Sequence, residues 1–247
     1  MLPYSIRDPC SSRVEYGRAS AAPPAAKTLR SRCQTELMPQ RLLAGLGAVL
    51  TLISCGSTPS ILPTGPTASS ISVQPSDLPS ALKKCDLSGD IDSFLKKDKT
   101  KDSPYKTQWE DAKKAGATAA YAAFYTDSAA HCASIESSSG DVSSATYKLV
   151  VNFVVQFKDE ASATKGYTSD KILGFTTASL KSGGAPVVEG TKTGLTANSI
   201  VLSIAVANQS FYIAVWQNKA FMVILAILNI DTATCKKVAL AENGRIK

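Results

Sequence analysis

The chain has 247 residues, 44% apolar and 19% charged, an ordinary balance for a globular protein of one or two domains. Its formal charge of +7 lies mostly upstream: seven of the 27 Lys and Arg and three of the 20 Asp and Glu precede Cys55. Residues 55–247 therefore carry 20 against 17, a net +3 with a single Arg. So small an excess gives no electrostatic footprint for nucleic acid and excludes it as a partner.

Residues 1–37 are rich in Arg, Ser, Ala and Pro and show no apolar periodicity. Met38-Pro-Gln-Arg41 makes a short basic start, so translation is expected to begin at Met38, with 1–37 a non-native leader. A mitochondrial-type presequence, also rich in Arg and Ser, is the rival reading. Residues 42–54 are uncharged and almost wholly apolar. Basic flank, short apolar run and small residue at the junction form the layout of a secretory signal. The run is shorter than the roughly 20 residues of a membrane-spanning helix. Leu52-Ile53-Ser54-Cys55 resembles the lipobox of bacterial lipoproteins. That resemblance implies lipid attachment to the Cys55 sulfur, cleavage between Ser54 and Cys55, and an exported protein whose partner is a membrane.

Residues 55–79 are dominated by Ser, Thr, Pro and Gly. Such a composition buries too little apolar surface to offset its chain entropy, so a flexible lipidated tether is expected here. Residues 80–247 are then one domain. Two short helical turns are expected in 81–97, broken at Ser88-Gly89, followed by a charged loop at 96–102. Pro104 suits the first turn of a helix carrying Trp109 and Ala112 and stopped by Gly116. Residues 117–126 read as a strand rather than a continued helix, because Gly116 interrupts and aromatics then fall at period two.

The β-branched and aromatic run 147–157 predicts a strand, and Asp159 the cap of the helix after it, with Tyr167 on its apolar face. Gly183, Gly184, Pro186, Gly190 and Gly194 mark a long irregular connection. Strands at 199–207, 211–217 and 220–229 follow at hairpin spacing, turning at 208–210 and 218–219. Asp231 caps a last helix with Val238, Ala241 and Ile246 inward. The fold class is α+β: an antiparallel sheet of about five strands, helices mainly on one face, and a C-terminal helix closing the domain. A strand, Phe157-Lys-Asp159, a helix, a meander ending in a Val/Ile-rich strand, and a C-terminal helix ending in Arg245-Ile246 resembles the extracellular sensor domains of actinobacterial Ser/Thr kinases. The PsbP-like fold is a second candidate.

Cys10 and Cys33 lie in the leader and Cys55 takes lipid. Cys85, Cys132 and Cys235 remain in an oxidising compartment, where three thiols permit one bridge and spacing alone leaves its identity open. Cys85–Cys132 is the expected pair, because it would close the Ala-rich segment least able to hold itself. Cys235 then reads as a buried small apolar residue.

No metal site or cofactor is expected. His131-Cys132 is isolated, and Asp86, Asp90 and Asp92 do not match an EF-hand spacing and read as caps and solvated charges. Gly190-Thr-Lys-Thr-Gly194 lacks the Gly-Lys-Ser/Thr ending of a phosphate loop. A single histidine supplies no evident base for a Ser or Cys nucleophile, so no catalytic residues are assigned. Tyr212 and Trp216 alternate with Phe211 and Val215 and read as core. The favoured function is a non-enzymatic, membrane-anchored binding or sensor module for a protein or small ligand. The alternatives are a cell-envelope hydrolase using carboxylates such as Asp127 or Glu189, or an assembly lipoprotein marked by a large apolar patch.

Overall fold

Strands whose two faces are both apolar demand cover on both sides, and that demand organises this domain. The computed structural model describes residues 65–138, 145–169, 173, 177–182, 184–206 and 208–247. These fall within one compact unit, Thr58–Lys247. Cys10, Cys33, Met38, Cys55 and the expected signal lie outside the described residues.

Eight strands form one antiparallel sheet: β1 (Lys83–Lys84), β2 (Gly89–Asp90), β3 (Ala117–Thr126), β4 (Leu149–Phe157), β5 (Val187–Glu189), β6 (Ser199–Val206), β7 (Gln209–Asn218) and β8 (Phe221–Leu228). The order is β1-β3-β4-β8-β7-β6-β5, with β2 also pairing with β3. The antiparallel sheet is as expected, with more strands than the five read from sequence. The additions are β1, β2 and β5, which have only two or three residues and carry no period-two signal.

Helices α2 (Ile91–Lys97), α3 (Tyr105–Lys114), α4 (Ala129–Ser138), α5 (Glu160–Thr168) and α6 (Thr177–Ser182) belong to one face of the sheet. There Phe94, Tyr105, Phe124 and Phe153 form a ring cluster with centroids 5.3 to 5.9 Å apart. The second face is covered by α1 (Ala68–Ile71) and α7 (Thr232–Gly244), over Tyr125, Val154, Trp216, Val223 and Leu225. Helices thus lie mainly on one face, as expected, but the other is covered too. Along β4, Leu149, Val151, Phe153 and Val155 enter the first layer while Val150, Asn152 and Val154 enter the second.

Local chemistry sets the helix ends. Asp90, Asp159 and Asp231 each accept the backbone N–H three residues on, at Ser93, Ser162 and Thr234. Helix α3 stops where Ala115 gives way to Gly116 at φ +102°, and β3 starts on the next residue, as its sequence predicts.

Several expectations are corrected. The tether does not run to Pro79: Ala68, Ile71, Ser72, Val73 and Leu78 are buried on the second face. A few well-spaced apolar residues in a Ser/Pro-rich stretch suffice for docking once a sheet exists to receive them. The first expected turn of 81–97 is β1, because its backbone pairs with β3. Part of the irregular connection is β5, followed by a 3-10 turn at Gly190–Thr193, and α6 precedes it. On α7 the inward residues are Cys235, Val238, Ala239 and Glu242, whereas Ala241 is exposed. The last hairpin turns at Lys219-Ala220, with Asn218 opposite Phe221 and Lys219 at φ +49°.

Candidate functional site

Cys85 follows β1 and Cys132 sits on α4, and a disulfide joins them with Cα atoms 5.4 Å apart. The backbone N–H of Cys85 donates to Phe124 O at 2.8 Å, so one end of the bridge is fixed to β3. Cys235 is the free thiol, buried under α7 on the opposite face of the sheet. Burial pushes its thiol up to about 12, with Asp231 a lesser contributor.

The bridge forms part of the wall of a concavity of about 340 Å³ between β1 and α4. Cys85 and Leu87 are its buried lining, and Lys84, Asp86, Ser128 and Glu136 give it polar groups of both signs. Lys84 Nζ donates to the Tyr121 hydroxyl at 2.8 Å, and Lys99 pairs with Glu136 at 3.1 Å. An apolar floor with polar groups of both signs around it is the make-up of a small-molecule site.

His131 adjoins this concavity on α4. Its Nδ1 donates to Asp127 Oδ1 at 2.6 Å, and its ring lies flat on Tyr147 at 3.9 Å. The hydrogen bond from His131 is the main cause holding the Asp127 carboxyl below its usual range. His131 and Cys132 are helical neighbours about 100° apart, not the opposed pair a strand would make. Helix α4 was illegible because Ile135 is its one buried residue.

Glu189, the other carboxylate considered for hydrolysis, lies on β5 and pairs with Lys181 at 2.6 Å. Asp127 follows β3, so the two stand near opposite ends of the sheet order. Five strand spacings put them on the order of 20 Å apart, beyond the separation at which two carboxyls share a bond. Of the acidic trio, Asp90 caps α2, Asp86 lines the concavity and Asp92 lies in the first turn of α2. Among the described residues no three His, Cys, Asp or Glu side chains cluster as a metal site. Gly190–Thr193 is a 3-10 turn closed by Gly194 at φ +82°. Tyr212 and Trp216 are buried core.

A buried polar network was missed. Asn152 on β4 accepts from the Ser72 hydroxyl at 2.7 Å and the Val73 N–H at 3.1 Å. It donates to Ile224 O at 3.2 Å and Glu242 Oε1 at 2.8 Å. A polar residue midway along an apolar strand, and a Glu in phase with Cys235 and Val238, were the signals available.

Half-exposed Val188, Val206 and Leu240 are the exposed large apolar side chains among the described residues. Three such side chains do not make the patch of several hundred Å² that marks a docking face. No described helix is long and apolar enough to cross a membrane.

No protein-family model matches the chain, and no curated protein does. Among solved structures it is similar to the extracellular domain of PknH from Mycobacterium tuberculosis, at 10% identity and a TM-score of 0.43. The match covers 72% of this chain and 94% of that one. A likeness of that degree fixes neither fold nor function.

Proposed function

We propose that the protein is an exported, lipid-anchored binding module, held to a membrane through Cys55, with the concavity between β1 and α4 as its ligand site. The placement of the Cys85–Cys132 bridge in the wall of that concavity carries the reading. A structural disulfide fits an oxidising compartment, and this one also stiffens the rim of the site. The separation of Asp127 from Glu189 takes support from the two-carboxylate hydrolase.

Two measurements test the two halves. Cys55→Ala should move the protein out of the membrane fraction or leave its signal uncleaved; a mutant as membrane-bound and as processed as its parent refutes the anchor. Ala129→Trp fills the concavity from an exposed position on α4. Native mass spectrometry should detect a small molecule copurifying with the parent and lost from this variant. A ligand retained equally by both places the site elsewhere.

A further inference from the structure

Besides its buried apolar residues, the segment preceding β1 is held to the second face by hydrogen bonds, most of them to its main chain. Tyr125 of β3 donates its hydroxyl to Val73 O at 2.7 Å. Arg245, just past α7, donates to Ile71 O at 2.9 Å and Ser72 O at 3.3 Å, and pairs with Asp77. Asn152 takes the Ser72 hydroxyl and the Val73 N–H. Ile71 and Val73 are buried alongside. These three side chains belong to the sheet and the C-terminus and form a socket for a passing chain.

Behind Asn152 stands Glu242, fully buried. Its Oε1 accepts from Asn152, and its Oε2 has no hydrogen-bond partner among the described residues. A carboxylate so placed would be a buried charge without adequate pairing, a costly state in a low-dielectric layer. We propose that residues 66–79 are a docked strap, held closed by a proton on Glu242 that leaves Arg245 to the strap.

The charged and titratable groups facing Glu242 are Arg245 on its own segment, Asp77 on the strap and Tyr125 on β3. Burial is the largest cause raising the carboxyl well above its usual 4.5, and Asp77 adds to it; the Asn152 hydrogen bond and Arg245 oppose it. Arg245 follows Glu242 by three residues and so can reach it. Ionised Glu242 competes with the strap for that guanidinium, and losing Arg245 frees Ile71 O, Ser72 O and Asp77 together.

The docked form keeps a proton that the open, solvated form releases. Docking is therefore tightest below 4.5 and weakens as pH rises through the raised value. Within that window each pH unit changes the open-to-closed ratio by about tenfold. A released strap of this length spans about 20 Å as a coil. The latch stands independently of the anchor; its consequence, a domain standing farther from the membrane, rests on the Cys55 reading.

Hydrogen exchange read by mass spectrometry on the full chain, from pH 5 to 8 and corrected for intrinsic exchange, tests the latch. Peptides from 66–79 should lose about tenfold protection per pH unit in the window, while β4 peptides stay protected. Glu242→Gln keeps an acceptor for Asn152 and removes the charge, so its strap protection should be flat with pH. Ser72→Ala leaves Glu242 intact and should lower strap protection about fivefold or more at every pH, with the parent's slope. PH-independent strap protection in the parent, an unchanged slope in Glu242→Gln, or strap and β4 exchanging in one event would each overturn the proposal.

Discussion

Asn152 uses all four hydrogen-bonding positions of its amide, two accepting and two donating, inside an otherwise apolar layer. Removing it strands the Ser72 hydroxyl, the Val73 N–H and Glu242 at once. Leaving buried polar groups unpaired costs more than the net value of the bonds lost. We expect Asn152→Ala to destabilise the domain by about 3 kcal/mol, seen as a lower urea midpoint with little change in slope. A loss under about 1 kcal/mol would mean that the network relaxes around the gap. Cys235 lies in the same layer and makes only a weak contact, its Sγ 3.5 Å from Ile230 O. Its burial, rather than its chemistry, accounts for its place there.

At the scale of elements, the junction of α3 with β3 turns on Gly116. Its N–H donates to Lys113 O and its carbonyl accepts from Lys158 N, both at 3.0 Å, which ties the end of α3 to the corner between β4 and α5. A Cβ there would meet Ser162 Oγ at 3.1 Å and Cβ at 3.2 Å, on a backbone already at φ +102°. Gly116→Ala should cost about 2 kcal/mol and lower Tm by roughly 5 °C for a domain of this size. The disulfide acts on the same region, since the chain between its ends contains α2, α3 and β3. Its sequence separation of 47 corresponds to about 4 kcal/mol of denatured-state restriction. The double variant Cys85→Ser with Cys132→Ser should lose up to that amount in urea denaturation, and peptide mapping of the parent should leave Cys235 unlinked.

Over the whole molecule, two groups of carboxyls pull the pH profile in opposite directions. Asp90 is held below 3.8 chiefly by the Ser93 N–H, Asp159 by the Ser162 hydroxyl and Asp231 by the Thr234 hydroxyl. Their stabilisation is present above 3.8 and is lost as pH falls through the depressed values. Glu242 is raised, so its contribution is complete below 4.5 and is lost as pH rises through its folded value. Stability should therefore peak between about pH 4 and 5 and decline toward neutrality. Glu242→Gln should flatten the alkaline limb and leave the acid limb in place. Urea midpoints across pH 3 to 8 check both limbs, and a parent maximum at neutral pH would contradict the assignment.

Short-range chemistry was legible in the sequence. The span of β3, the β-rich run of β4, the closing meander, the caps at Asp159 and Asp231 and the stop at Gly116 all follow from side-chain period, capping oxygen or backbone freedom within a few residues. Elements whose formation depends on a receiving surface were not legible. Lys83–Lys84 and Val187–Glu189 become strands because β3 and β6 offer backbone partners, not because their residues favour extension. Helix α4 has one buried side chain and no apolar stripe, yet the disulfide and the concavity depend on it. The 66–79 segment looks disordered by composition and is ordered by Asn152, Tyr125 and Arg245, which lie 52 to 174 residues from their partners in it. Residue types alone determined what each stretch would do unaided; the assembled sheet decided which weak segments acquired partners, since burial and hydrogen bonding reward a segment only once its counterpart is in place.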